Sequence, residues 1–217
     1  MELGIVVRDV ALVAIAYLVG SIPMGVLVAR LSGGPDPRTI GSGRTGGTNA
    51  LRALGRKWAI VVVALDLLKG ALPVLLARVV TDGDALVEVL CGLAAVAGAI
   101  WSVFVGFRSG RGVATGVGTM LVIQPVAVLL AMPVFFGAIL LTRYVSLGSL
   151  LGSAAMPIVT LLVFLLIAGT PWPYVVYAAV GAVLIWVAHA DNIDRLVHGR
   201  ERKLDLSMLA GRGSSEG

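Results

Sequence analysis

Charge is scarce in this chain: of its 217 residues only 13% are Asp, Glu, Lys or Arg, while 58% are hydrophobic. A water-soluble domain carries about a quarter charged residues, so a soluble fold is excluded and an integral membrane protein is expected. Cysteine is reduced to Cys91, which excludes a disulfide framework and a cysteine-based metal site within one chain. The thiol lies in an apolar run and is expected to pack as a small hydrophobe. No cleavable signal pattern opens the chain: the first apolar run, about residues 10 to 31, is too long for a signal-peptide core and lacks a small-residue cleavage site. Nor is there a soluble domain, a low-complexity tract or a convincing internal repeat. The net charge of +5 does not indicate nucleic acid, because the basic residues sit in short loops between apolar runs rather than in a stripe.

What the chain does have is long hydrophobic runs. A membrane helix needs about 20 mostly apolar residues, fewer where protein shields it. Spans are expected near residues 6–31, 57–80, 84–106, 112–123, 126–142, 147–168 and 172–189. Gln124-Pro125 interrupts one long run, and Pro removes a backbone donor and disfavours helix just before it. Read as a tight turn, this break gives seven spans; read as a kink, it gives six. Charge decides between them. Fourteen of the seventeen Lys and Arg residues lie at or beside the 32–57 loop, the 107–111 loop, Arg143 and the tail from Arg195. The connections Thr81–Asp84, Gln124-Pro125 and Gly169–Pro173 contain none. Basic loops stay cytoplasmic, and only seven spans put them all on one side. The expectation is an all-α integral membrane protein with seven transmembrane helices, N-terminus outside and C-terminus cytoplasmic. Residues 1–205 would form one transmembrane domain, and 206–217 a flexible cytoplasmic tail.

Three polar stretches fall on the basic side. Gly41-Ser42-Gly43-Arg44-Thr45-Gly46-Gly47-Thr48-Asn49 is rich in glycine, hydroxyls and positive charge. Glycines let backbone N–H groups turn inward as an anion nest. Arg44, Arg52, Arg56 and Lys57 surround it, with Arg52 on a short amphipathic helix. A linker does not need a hydroxyl or amide beside nearly every glycine, so this loop is read as a phosphate-type site. Arg108-Ser109-Gly110-Arg111-Gly112 opens the fourth span, where unpaired helix N–H groups favour an anion and Arg111 offers a bidentate fork. An N-cap with interfacial arginines is the competing reading there. The spacing is not that of a Walker loop. His189 and Asn192, three apart, share a helix face at the end of the seventh span. Asp194, Arg195, Glu201 and Lys203 suit a salt-bridged tail. Asp66 and Lys69 are read as the only charged pair within a span, either an internal ion pair or an aid to loop positioning. Ser21, Pro23, Gly25, Ser146 and Gly148 suit close helix packing, and Ser149 suits that role or the polar pocket.

Taken together, these blocks resemble the PlsY-type acyl-phosphate:glycerol-3-phosphate acyltransferases of bacterial membranes. The likeness covers about residues 17 to 203. It rests on Gly20-Ser21-Ile22-Pro23-Met24-Gly25, the Gly41–Asn49 loop, Asp66-Leu67-Leu68-Lys69-Gly70, Gly110-x-Gly112-Val113-Ala114-Thr115, Ser146-Leu147-Gly148-Ser149 and His189-x-x-Asn192-Ile193-x-Arg195-Leu196-x-x-Gly199-x-Glu201. The resemblance implies seven transmembrane helices in the bacterial cytoplasmic membrane and an active site facing the cytoplasm. It also implies transfer of a fatty acyl group from acyl phosphate to glycerol 3-phosphate, giving lysophosphatidic acid and phosphate. No metal, cofactor or nucleic acid is expected; the partners are the two substrates and membrane lipid, and the chain is expected to act as a monomer. Carried over as catalytic residues are His189, Asn192, Ser42 and Arg111. Gly41, Gly43, Arg44, Thr45, Gly46, Gly47, Thr48, Asn49, Arg52, Arg108, Ser109, Gly110, Gly112 and Ser149 are carried over as substrate-binding. The chain departs from the family pattern at Arg44 (usually Asn), Gly47 (usually Ala), Ser109 (usually Gly), Arg111 (usually Lys) and Ala99 (usually His). Arginine for lysine keeps charge but changes geometry.

An acyl phosphate is an activated mixed anhydride, so the transfer needs donors for developing negative charge rather than a metal. The two loops with Arg52 and Arg111 would hold the phosphates, and His189 with Asn192 would orient or polarise the attacking hydroxyl. The proton acceptor is left open between His189 and a substrate phosphate oxygen. No Ser-His-Asp spacing is evident, which argues against an acyl-enzyme. The alternatives are a paralogue with altered or lost activity and a transporter for phosphorylated solutes. Transport calls for midplane polar residues and symmetric halves, which the one-sided polar residues do not supply.

Overall fold

The computed structural model describes residues 2–205, so the expected tail at 206–217 lies outside the described residues. It is all-helical: α1 Glu2–Ser21, α2 Met24–Ser32, α3 Gly47–Val80, α4 Ala85–Ile100, α5 Val113–Ile123, α6 Pro125–Thr142, α7 Val145–Leu166, α8 Pro173–Ala188 and α9 Ala190–Val197, with 3-10 turns at Pro37–Thr39 and Val103–Val105. Among the described residues five helical segments are long and apolar enough to cross a membrane: α1, α3, α4 with its following turn, α6 and α7. The α8–α9 pair, bent by 63°, makes a sixth if counted as one broken span. Helix α5 is apolar but has only 11 residues, and by length alone it does not reach across a bilayer.

Two expectations need correcting. The first run, 6–31, is not one helix. It breaks at Ile22-Pro23, between α1 and α2, because Pro supplies no N–H and disfavours helix at the residue before it. The carbonyl of Ile22 at the break accepts from the Met24 amide and from Lys69 Nζ, both at 3.0 Å. Nor is Asp66–Lys69 the only charge pair inside the spans. Arg78 on α3 donates to both oxygens of Glu88 on α4 at 2.9 and 2.7 Å, and the Tyr174 hydroxyl of α8 donates to the same carboxylate at 2.9 Å. Gln124 does interrupt the long run, leaving α5 and α6 as separate helices on either side.

Close packing holds this frame. Helix α4 is central, touching α1, α3, α5 and α8, while α6 packs on α7 and α7 on α8. A Cβ on Gly20 or Gly98 would collide with the backbone of Ala95 or Tyr17, and one on Gly70 or Gly118 with that of Thr115 or Leu67. These glycines let α1 approach α4, and α3 approach α5, at backbone distance, as small residues do between membrane helices. Helix α3 breaks at Gly55, whose φ of 79° is open to glycine. Residues 47–54, carrying Arg52, thereby separate from the span that follows. Beyond α9 the chain turns back: the Leu204 amide donates to the Arg143 carbonyl at 2.7 Å, and the Leu204 side chain packs against a cluster that includes Val28, Leu51 and Val62. This strap closes over the end of the bundle that carries the polar loops.

Candidate active site

The glycine-rich loop is shaped by one side chain. Asn49, buried in the first turn of α3, donates through Nδ2 to the carbonyls of Ile40 at 2.9 Å and Arg44 at 2.8 Å, and its Oδ1 accepts from the Ser42 amide at 3.2 Å. Gly41 and Gly43 take the left-handed conformation at φ 58° and 67°, and a Cβ on Gly41 would collide with the Asn49 carboxamide. The loop delivers the chain to Gly46, the N-cap of α3, which has no side-chain cap. The first amides of α3 are therefore open to a ligand, with the positive end of the helix dipole behind them.

The second loop is pinned to α4 by backbone bonds from Ser109 to Ile100 O at 3.1 Å and from Gly110 to Ala99 O at 3.0 Å. Thr45 Oγ1 and Ser109 Oγ, both buried, meet at 2.9 Å and join the two loops. Gly112, left-handed at φ 75°, is the N-cap of α5 and likewise has no side-chain cap. Two uncapped helix starts thus lie in one region. From the third side come α9 and the strap. Asp191 Oδ2 accepts from Arg111 at 2.9 Å and from Arg195 at 3.2 Å. Glu201 accepts from Asn192 Nδ2 at 2.6 Å, Ser146 Oγ at 2.8 Å and Arg195 Nε at 2.8 Å.

These elements enclose a cavity of about 380 Å³. Its polar end is lined by Ser42, Arg44, Thr45, Gly46, Gly47, Thr48, Asn49, Arg52, Gly110, Arg111, Gly112, Ser149, His189 and Asn192, together with Asp66, Lys69, Ser146, Arg195, Glu201 and Arg202. The remaining lining is mostly apolar, from α3 through α8. Several polar atoms here are buried without a partner among the described residues: Arg44 Nε, Arg111 Nε, Asn192 Oδ1 and Asp191 Oδ1. Leaving a buried donor such as Arg44 Nε or Arg111 Nε unpaired costs about 1–3 kcal/mol, and an anion entering between the arginines would remove that cost, while Asp191 Oδ1 and Asn192 Oδ1 are open to a donor such as a hydroxyl.

Electrostatics agree. Burial lowers the pKa of Arg44, Arg52 and Arg111, and neighbouring guanidinium groups add to the effect. Such a cluster gains from an added negative charge. Burial works against the Asp191 carboxylate, but Arg111 and Arg195 outweigh it and hold its pKa below the usual value. Glu201 follows the same pattern, with Arg195, Ser146 and Asn192 outweighing burial. His189, one residue past α8, is 2% exposed. Burial pushes its imidazole down to about 4, against the Ile185 carbonyl, which favours the charged form, and with help from Arg111. His189 Nδ1 lies 2.8 Å from Ile185 O. A carbonyl only accepts, so Nδ1 carries the proton and Nε2 is left as an acceptor.

Most of the expected site residues come together. Gly41, Gly43, Arg108 and Ser109 do not line the cavity: the two glycines turn the loop, Arg108 is exposed, and Ser109 bonds Thr45. Ser149 lines the wall while its hydroxyl donates to Val145 O at 3.0 Å. Asp66 and Lys69 form an ion pair at 2.7 Å, as one of the two readings had it, and both also line the cavity. Sequence reasoning missed Asp191 and Arg202. The i, i+4 spacing of Asp191 and Arg195 was an available signal for the first; nothing local signalled the second, which the strap carries back to the cavity.

Comparison with known proteins gives one family. Residues 10–199 match the family model for glycerol-3-phosphate acyltransferase. The chain is 44% identical to glycerol-3-phosphate acyltransferase 3 of Dehalococcoides mccartyi (strain CBDB1), covering 93% of this chain and 98% of that one. It is 45% identical to the glycerol-3-phosphate acyltransferase of Thermus thermophilus, over 88% and 92%. Among solved structures, the glycerol 3-phosphate form of PlsY (YgiH), an integral membrane glycerol 3-phosphate acyltransferase, superposes with a TM-score of 0.83 at 39% identity, covering 94% of this chain and 98% of that one. The lysophosphatidic acid form gives 0.82.

Proposed function

This chain belongs to the glycerol-3-phosphate acyltransferase family, and we propose that it transfers a fatty acyl group from acyl phosphate to glycerol 3-phosphate in the bacterial cytoplasmic membrane. The carrying observation is that one cavity joins unpartnered buried Arg44 and Arg111 nitrogens to an apolar arm. A substrate pair with two phosphate groups and one fatty chain has that distribution of chemistry. Arg44, Arg52, Arg111 and the two uncapped helix starts hold the phosphates. The hydroxyl oxygen of glycerol 3-phosphate attacks the acyl carbonyl carbon, the carbon–oxygen bond to phosphate breaks, and inorganic phosphate leaves while the hydroxyl proton is lost. Negative charge builds on the carbonyl oxygen and the leaving phosphate, where fixed cationic donors accelerate the reaction most.

His189 acts here as an oriented acceptor. Its Nε2 faces the attacking hydroxyl, and Asn192 Oδ1 is a second open acceptor. An imidazole with a pKa near 4 is a weak base at neutral pH, which favours a substrate phosphate oxygen as the final proton acceptor. Arg111 and Arg195 share Asp191, which keeps the Arg111 fork in place before substrate arrives. The proposed reaction needs no cofactor, and the chain is taken to act as a monomer.

The proposed topology has seven crossings, with α5 as a short one shielded by α3, the N-terminus outside and the active site facing the cytoplasm. Residues 1–205 act as one domain. A reporter after residue 205 should read cytoplasmic and one in the Thr81–Asp84 turn external; the same reading from both overturns it. Purified protein supplied with palmitoyl phosphate and glycerol 3-phosphate should release phosphate and lysophosphatidic acid together. Equal turnover with acyl-coenzyme A or an acyl carrier protein thioester would overturn the donor assignment.

A further inference from the structure

Four residues of α8 and its end, Tyr177, Gly181, Ile185 and His189, recur every four positions and all line the cavity. They form one stripe of the helix. At about 1.5 Å per residue, Tyr177 stands about 18 Å along the axis from His189. The stripe therefore runs from the polar end, where the acyl carbonyl must sit, to the apolar end of the same space.

The two members farthest from His189 differ in kind. Gly181 is buried, yet a Cβ built on it meets nothing within 4 Å. In a packed interior such a position is filled; here the missing side chain adjoins the cavity. Tyr177 is the reverse. It is 2% exposed and belongs to the core cluster with Met120, Val128 and Tyr174. Its ring sits where Gly92 has no side chain, since a Cβ there would lie 2.8 Å from a ring carbon. Thr119 donates its own proton to Gly116 O at 2.7 Å, so the Tyr177 hydroxyl donates to Thr119 Oγ1. A ring held between two helices cannot swing aside to admit more substrate.

We infer that the α8 stripe measures the acyl chain of the donor, with Gly181 leaving room for the chain and Tyr177 closing the far end and setting its length limit. This rests on the acyl-transfer reading above and adds the residues that select among donors. The chain lies along α8 against Gly181, and methylenes beyond the Tyr177 ring meet a fixed wall. A methylene more or less in an apolar pocket changes discrimination by about tenfold or more.

The test supplies purified protein with glycerol 3-phosphate and an equimolar mixture of lauroyl, palmitoyl and stearoyl phosphate, and counts the lysophosphatidic acid products by mass spectrometry. Gly181→Leu fills the arm and should raise the lauroyl-to-stearoyl product ratio about tenfold over the unmodified protein. Tyr177→Leu removes the wall and should shift the ratio the other way, while Tyr177→Phe keeps the ring and the ratio. Should Tyr177→Leu not fold, Gly181→Leu decides alone, because its added side chain enters open space. An unchanged ratio in an active Gly181→Leu protein overturns the inference: the chain then lies elsewhere, for instance in the bilayer. Unmodified protein that uses none of the three donors would instead overturn the acyl-phosphate reading itself.

Discussion

Two of the places where the described residues bury charge treat it differently. At the end of the bundle formed by the start of α4, Glu88 is fully buried and each of its oxygens is taken, by the two-pronged Arg78 fork and by Tyr174. At the opposite end of α8, Arg44, Arg111, Asp191 and Asn192 each keep a buried atom without a partner among the described residues. The sequence shows Arg, Asp and Glu in both places and does not separate them. What separates them is valence. Around Glu88 every bond of the buried charge is complete, as in a scaffold; around Arg44 and Arg111 some bonds stay open, which is what the proposed ligand site requires.

Substitutions sharpen that contrast, beginning with the largest effect. His189→Ala removes the oriented acceptor and should lower kcat by about 10²-fold, the low end of what a proton-transferring residue supplies, with little change in the apparent Tm in detergent; full activity would remove His189 from the site. Glu88→Ala should do the reverse. It leaves the Arg78 fork without its partner and should cost about 3 kcal/mol of stability, the low end of the range for broken buried pairs because Arg78 is 37% exposed. Its kcat per folded molecule should stay near that of the unmodified protein, and a selective loss of turnover would erase the distinction between the two ends.

Arg111→Ala comes next. A charge-assisted hydrogen bond is worth about 1.5–3 kcal/mol, so kcat/KM should drop at least about tenfold. Arg111→Lys separates a point charge from a guanidinium fork: retained activity means charge suffices, and a large loss means the loop has adapted to arginine. The smallest effect is in pH dependence. The folded pKa of His189, about 4, lies below the ordinary 6.5. Its contribution to stability is therefore fully present above 6.5 and is lost as pH falls from there towards 4, where only the unfolded chain takes up the proton. The apparent Tm should decline over that window, and His189→Gln should flatten the decline. The same low pKa predicts no imidazole limb in kcat/KM near 6.5; such a limb, abolished by His189→Gln, would make His189 the base.

Much of this was readable in the sequence, for definite reasons. Apolar runs separated by basic loops reveal membrane helices, since a bilayer imposes length and composition on every crossing. Glycine beside hydroxyls and arginines at Gly41–Asn49 marks the loop that the fold brings to the cavity. The break at Ile22-Pro23 was hidden because hydropathy continues through it, although Pro23 itself was the signal. The Arg78–Glu88 pair was hidden because its partners lie on different helices, and charge spacing along one helix does not see across a turn. Asn49 was read as a ligand because polar residues in such a loop invite that reading; only the fold reveals that its carboxamide holds the turn. The apolar arm was invisible for a general reason: a residue that lines a void and one that faces lipid are equally hydrophobic.

The hydroxyl bond between Thr45 and Ser109 has a consequence beyond holding two loops together. If each loop receives one phosphate compound, the bond makes their binding a single linked equilibrium. A substrate that orders the first loop relieves part of the ordering cost of the second, and the favour is returned: whatever factor the donor adds to acceptor affinity, the acceptor adds to donor affinity. Synergy between two ligands that need not touch is then a property of the protein, carried by two small side chains on different loops.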